Sequence, residues 1–144
     1  MSENNLAKAI QIASAAHENQ VDKANAPYIL HPIRLMLKFS SVEEQIVAVL
    51  HDVIEDSDMT IDDLRKKNFS DDVLTAVDLL TKKPGQDYQN YLEKISENNL
   101  ARKIKIEDIK DNLNLTRLTS VSAQDLERAK KYHVALQFLE GKNP

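Results

Sequence analysis

From Leu6 to Leu139 the apolar residues of this chain recur at spacings of three and four, with two glycines and four prolines in 144 residues to interrupt them. An α-helix returns a side chain to the same face about every 3.6 residues, whereas a strand alternates every two. The pattern therefore predicts helices throughout and no strand. Polar breaks at 20–28, Pro84-Gly85 and Asn98-Asn99 separate them. Ser2, Ser41, Thr60, Ser70 and Ser122 stand where N-caps are expected, and Ser41-Val-Glu-Glu44 has the form of a capping box. The expected fold is all-α: one helical-bundle domain over 1–144, with its distinctive segments within about 7–118 and a closing helix at about 123–140.

The chain has no cysteine, so any metal must be held by imidazole and carboxylate. A formal charge of −4 argues against a nucleic-acid polymer as partner, because that binding rests on a basic surface. No apolar run is long enough for a membrane span, and Met1-Ser-Glu-Asn-Asn5 lacks the form of a signal peptide. A cytoplasmic location is expected; the oligomeric state is left open.

Two segments depart from the helical pattern. In Ala48-Val-Leu-His-Asp-Val-Ile-Glu-Asp-Ser57, a histidine and three carboxylates sit among Val49, Leu50, Val53 and Ile54. The helix that starts at Ser41 carries these residues at its C-terminal end, so His51 and Glu55 share a face and Asp52 and Asp56 the adjoining one. Buried carboxylates need a partner, a proton or a cation; the alternative is an amphipathic helix with an acidic wet side. In the second segment, Leu100, Ile104, Asp108, Asn112 and Leu115 lie on one stripe, which turns Asp108 inward.

His31, His51, Asp52 and Asp108, drawn from three helices, make a mixed nitrogen and oxygen set suited to Mn²⁺, Fe²⁺ or Zn²⁺. A divalent ion there would lower the pKa of a water and neutralise charge on a phosphate oxygen. Glu55 and Asp56, one turn beyond, are candidates to orient or deprotonate that water, or to protonate a leaving oxygen. The reaction class is hydrolysis of a phosphate ester or anhydride.

The words His17-x-x-Gln20, Lys23, Pro27-Tyr28-x-x-His31-Pro32, His51-Asp-Val-Ile-Glu-Asp56 and Lys105-Ile-Glu-Asp108-x-x-x-Asn112 resemble, in order and spacing, the hydrolase domain of the RelA/SpoT family. They also resemble its stand-alone small alarmone hydrolases, within the HD superfamily of metal-dependent phosphohydrolases. The resemblance implies an HD-type helical bundle, a divalent ion of the Mn²⁺ type, and removal of the 3′-pyrophosphate from a (p)ppGpp-like nucleotide. It implies Lys23, Asn112, Tyr28 and Arg117 as substrate contacts. The family usually has Arg-Lys where this chain has Asp22-Lys23, and glycine where it has Asn19 and Asn25. The implied substrate is therefore the guanine alarmone or its adenine analogue. The nucleotide synthetase domain of long family members has no counterpart, so no synthesis is expected. Two other readings are an HD nucleotidase or phosphatase acting on another small phosphate ester, and a non-catalytic metal- and nucleotide-binding sensor.

Overall fold

In a computed structural model of the chain, residues 2–141 are described, with side chains from Asn5 onward. The cap expected of Ser2 and the ends of the expected 1–144 domain lie outside the described residues. Among the described residues nine α-helices follow in order: α1 Ser2–Ala16, α2 Leu30–Met36, α3 Val42–Leu50, α4 Val53–Asp56, α5 Ile61–Lys66, α6 Asp71–Leu80, α7 Tyr88–Ser96, α8 Asn99–Asn112 and α9 Ala123–Leu139. A 3₁₀ turn occupies Leu115–Arg117. Among the described residues there is no strand, and one isolated antiparallel bridge pairs Val21 with Pro27.

Local chemistry sets the helix starts. Side-chain oxygens of Ser41, Ser70, Asp87 and Asn98 each accept an otherwise unpaired amide of the first turn. Thr60 with Asp63 and Ser122 with Asp125 form reciprocal capping boxes. The Ser41 box is only half made, because Glu44 takes the Ser41 hydroxyl rather than its backbone amide.

Ile46, Val47, Ala48, Val49 and Leu50 of α3 are all buried. Five consecutive buried residues cannot face one neighbour, and α3 packs against α1, α2, α6 and α8. Ala9 and Ala13 of α1, both fully buried, let that helix come close. Around α3, large side chains such as Leu35, Leu64, Ile95, Ile104 and Ile109 leave water almost completely, each contributing about 1.5–3 kcal/mol. Val42 and Leu126, at the starts of α3 and α9, are 40% and 53% exposed.

One difference from the sequence expectation shapes the site. The apolar pattern predicts a single helix through Asp56, but α3 stops at Leu50 and a new turn, α4, starts at Val53. Asp52, at the break, has φ −106° and ψ 1°, a sparsely allowed region in which reactive residues often stand. The break lets sequence neighbours converge: His51 Nε2 and Asp52 Oδ2 are 3.1 Å apart, which adjacent positions on one continuous helix do not favour. Among the described residues, no helix is long and apolar enough to cross a membrane.

Candidate functional site

Three buried side chains meet where α2, the end of α3 and α8 converge. His31 Nε2 lies 2.9 Å and His51 Nε2 3.5 Å from the same atom, Asp108 Oδ1. One ligand atom from each of the three lies within 4.8 Å of the others. Asp52 adjoins this triad through His51 and lies outside that three-residue set.

The protonation pattern suits a divalent cation. His51 Nδ1 is 2.7 Å from the Ala48 carbonyl oxygen, which only accepts, so Nδ1 carries a proton and Nε2 faces the carboxylates. That Nε2 is buried and has no hydrogen-bond partner. Burial pushes the His51 pKa down, yet Asp52 and Asp108 push it up further, so the cluster attracts positive charge. A metal ion and that proton compete for the same place. His31 Nδ1 donates to Asp111 Oδ2 at 2.6 Å, leaving its Nε2 toward Asp108. His31, His51 and Asp108 could thus hold a divalent ion, with nitrogens oriented by their outer contacts.

The triad has a charged frame. Lys105 Nζ donates to Asp108 Oδ2 at 2.9 Å, so one oxygen of Asp108 faces an ammonium and the other the two imidazoles. Burial works against charge on Asp108, but Lys105 and His51 outweigh it and hold the carboxyl well below its usual range. Arg34 grips both oxygens of Asp111 at 2.9 Å, and Arg117 donates to the Asp111 carbonyl at 2.8 Å. Tyr28, its ring between those of His17 and His31, donates its hydroxyl to Asp52 Oδ2.

Glu55 and Asp56 take different partners. Glu55 Oε2 accepts from the Lys82 backbone amide at 2.8 Å. Burial, then the nearby carboxylates Asp52 and Asp56, raise its pKa against the opposing pull of that amide and Lys105. Asp56 Oδ2 accepts from Gln20 Nε2 at 3.2 Å. Beside the triad opens a cleft of about 350 Å³, lined by Lys23, Tyr28, Arg34, Asn112, Arg117 and Arg128 among others. That volume accommodates a small ligand. Asp22 also borders it, with Oδ1 accepting from Ala24 N and Ala26 N, each at 2.9 Å.

Comparison with known proteins adds a second line of argument. The sequence matches no family model. Over 120 residues, 75% of this chain, it is 28% identical to a guanosine-3′,5′-bis(diphosphate) 3′-pyrophosphohydrolase of Aquifex aeolicus. Over 101 residues, 67% of this chain, it is 34% identical to the protein of the same name from Borreliella burgdorferi. The chain is a relative of the RelA/SpoT-type pyrophosphohydrolases. It spans only 17% and 15% of the lengths of those two proteins. A solved structure described as a metazoan ortholog of SpoT that hydrolyzes ppGpp superposes with a TM-score of 0.75, covering 96% of this chain and 87% of that one. At 24% identity that match establishes the fold, an all-helical bundle.

In this RelA/SpoT relative, sequence periodicity singles out Asp108 but overlooks Asp111, one turn on and buried against His31. The signal available was the i,i+3 spacing of Lys105, Asp108 and Asp111, three charges along one side of α8. The Lys82 amide facing Glu55 had no sequence signal, since any residue supplies an N–H.

Proposed function

We propose that this chain is a metal-dependent pyrophosphohydrolase that removes the 3′-pyrophosphate from a (p)ppGpp-like nucleotide, with Mn²⁺ as its ion. The observation that carries the reading is the buried His31, His51 and Asp108 set, with an unpartnered imidazole nitrogen, opening beside a cleft that Lys23, Arg34, Arg117 and Arg128 border together with Asp22, Asp111 and Asp125. Asp52 completes the ligand set from its place against His51. When bound, the ion supplies Lewis acidity, making a water more acidic and stabilising charge on a phosphate oxygen.

The protein's own groups do the rest. Lys23 and Arg117 attract the phosphates, while Tyr28 and Asn112 border the place where the substrate lies. Glu55, whose pKa is raised by partial burial of its carboxyl and by Asp52 and Asp56, takes a proton from the water as the water's oxygen bonds to phosphorus and the bond from phosphorus to the 3′-oxygen breaks. Asp56 orients the same water, and the 3′-oxygen leaves as a hydroxyl, taking the proton that Glu55 accepted from the water. Product analysis with ppGpp, pppGpp, ppApp and simple monophosphates tests this: pyrophosphate should appear with Mn²⁺, vanish with EDTA and return on adding Mn²⁺. Release of orthophosphate alone, or turnover indifferent to EDTA, would overturn the reading.

Asp22 bears on the base. A guanidinium at that loop position can stack on a purine and complement phosphate, whereas a carboxylate does neither and repels polyphosphate. We expect ppApp to be hydrolysed comparably to ppGpp, or better. Asp22 also ties its own loop through Ala24 and Ala26, so Asp22→Asn, which keeps an acceptor oxygen, separates charge from loop shape and accompanies Asp22→Arg. The measurement is kcat/KM for both nucleotides in all three proteins. A strong wild-type preference for ppGpp, unmoved by either change, would show that Arg34 or Arg117 reads the base instead.

A further inference from the structure

His17 follows the last residue of α1 and is 1% exposed, although a polar loop comes next. Its Nε2 is buried with no partner. An apolar side chain would fill the space without that orphan, so the imidazole is explained by what its other nitrogen does. Nδ1 lies 2.8 Å from Gln20 Oε1. It is 3.7 Å from Asp56 Oδ2, too far for a direct hydrogen bond.

Gln20 is fixed from both ends. Its Nε2 donates to Asp56 Oδ2 at 3.2 Å, and turning the amide over would set its oxygen against a carboxylate oxygen. With the amide so oriented, Oε1 can only accept, and Nδ1 of His17 must donate. The Gln20 backbone is held as well: its N–H donates to the His17 carbonyl at 3.1 Å, and its carbonyl accepts from the Tyr28 N–H at 2.8 Å. Tyr28, whose ring centre is 5.0 Å from that of His17, donates to Asp52. One buried imidazole therefore stands behind both ends of the loop 20–28, and each end terminates on an acid, Gln20 on Asp56 and Tyr28 on Asp52.

The geometry points to His17 and Gln20 as positioning residues that hold Asp56 Oδ2 in a single orientation for the reaction. The inference rests on the role given above to Asp56. Gln20 carries the orientation and His17 prevents the amide from turning. Neither touches the reacting atoms.

Two measurements test it. In metal-free protein labelled with ¹⁵N-histidine, His17 should be the Nδ1–H tautomer with a slowly exchanging proton, and Gln20→Met should speed that exchange. The Nε2–H tautomer would overturn the relay, and this result does not depend on any substrate. In the Mn²⁺-loaded enzyme, Gln20→Met and His17→Phe should lower kcat by about tenfold to a hundredfold, with KM and metal content unchanged, the scale of a misplaced reactive group. His17→Asn, whose amide nitrogen can stand near the place of Nδ1, should recover most of the loss. In an Asp56→Asn background, Gln20→Met should cause no further loss. An equal loss there, or equal damage from His17→Phe and His17→Asn, would reduce both residues to scaffold. Absence of turnover on every nucleotide tried would refute the hydrolase reading instead, while the tautomer measurement still decides the relay.

Discussion

Replacing Asp108 with alanine is expected to remove the metal and abolish turnover together. Its Oδ1 is the one atom that both imidazoles approach, at 2.9 and 3.5 Å, and its Oδ2 is the partner of Lys105. Alanine leaves two imidazoles without their common carboxylate and Lys105 as a buried cation with its main counter-charge gone. Breaking a buried pair in this way costs about 3–5 kcal/mol, so a fall in thermal stability should accompany the loss of metal. Asp108→Asn keeps the volume and one acceptor oxygen for Lys105, and should recover part of the stability but little of the metal affinity. Elemental analysis of folded protein, checked by its helical circular dichroism, makes the comparison. Full metal occupancy in Asp108→Ala would exclude this ligand set.

The second large effect is expected at Glu55. Glu55→Gln keeps the shape and an oxygen for the Lys82 amide, so fold and metal should persist while turnover falls by about two orders of magnitude or more, as for a lost acid–base group. The pH profile supplies an independent check. Glu55 is exposed overall, but partial burial of its carboxyl and the nearby Asp52 and Asp56 raise its pKa, so the ionised form needed to accept a proton is lost at a higher pH than for an ordinary glutamate as acidity increases. The acidic limb of kcat/KM should therefore lie above an ordinary glutamate's in the wild type and disappear in Glu55→Gln. Unchanged turnover in both Glu55→Gln and Asp56→Asn would move the chemistry away from these carboxylates.

What could be read from the sequence was set by short-range rules. Serine or threonine followed three residues later by an acid marks the starts of α5 and α9, because the cap and its partner are local. The inward turn of Asp108 follows from period alone, and it is 5% exposed. The break between Leu50 and Val53 was hidden because the apolar spacing continues across it, and nothing local in Leu-His-Asp-Val forbids a helix. Three-dimensional contacts impose it. Asp111 was hidden for a related reason: its partners His31 and Arg34 lie on α2, some eighty residues earlier, and no local pattern records that proximity. The same holds for Gln20 and Asp56, whose pairing exists only once α1 and α4 have packed together.

The loop 20–28 is closed at its base and free at its tip. Its ends are tied by Tyr28 N–H to the Gln20 carbonyl and by Asp22 N–H to the Ala26 carbonyl, whereas Lys23 and Asn25 at the turn are exposed. The contacts to the acids leave from the base, while Lys23 and Ala24 of the tip join Gln20 and Tyr28 of the base along the cleft. A side chain exchanged at the tip therefore leaves the ties to Asp52 and Asp56 in place while changing what lines the cleft. What the cleft holds can thus be altered separately from how the two acids are held.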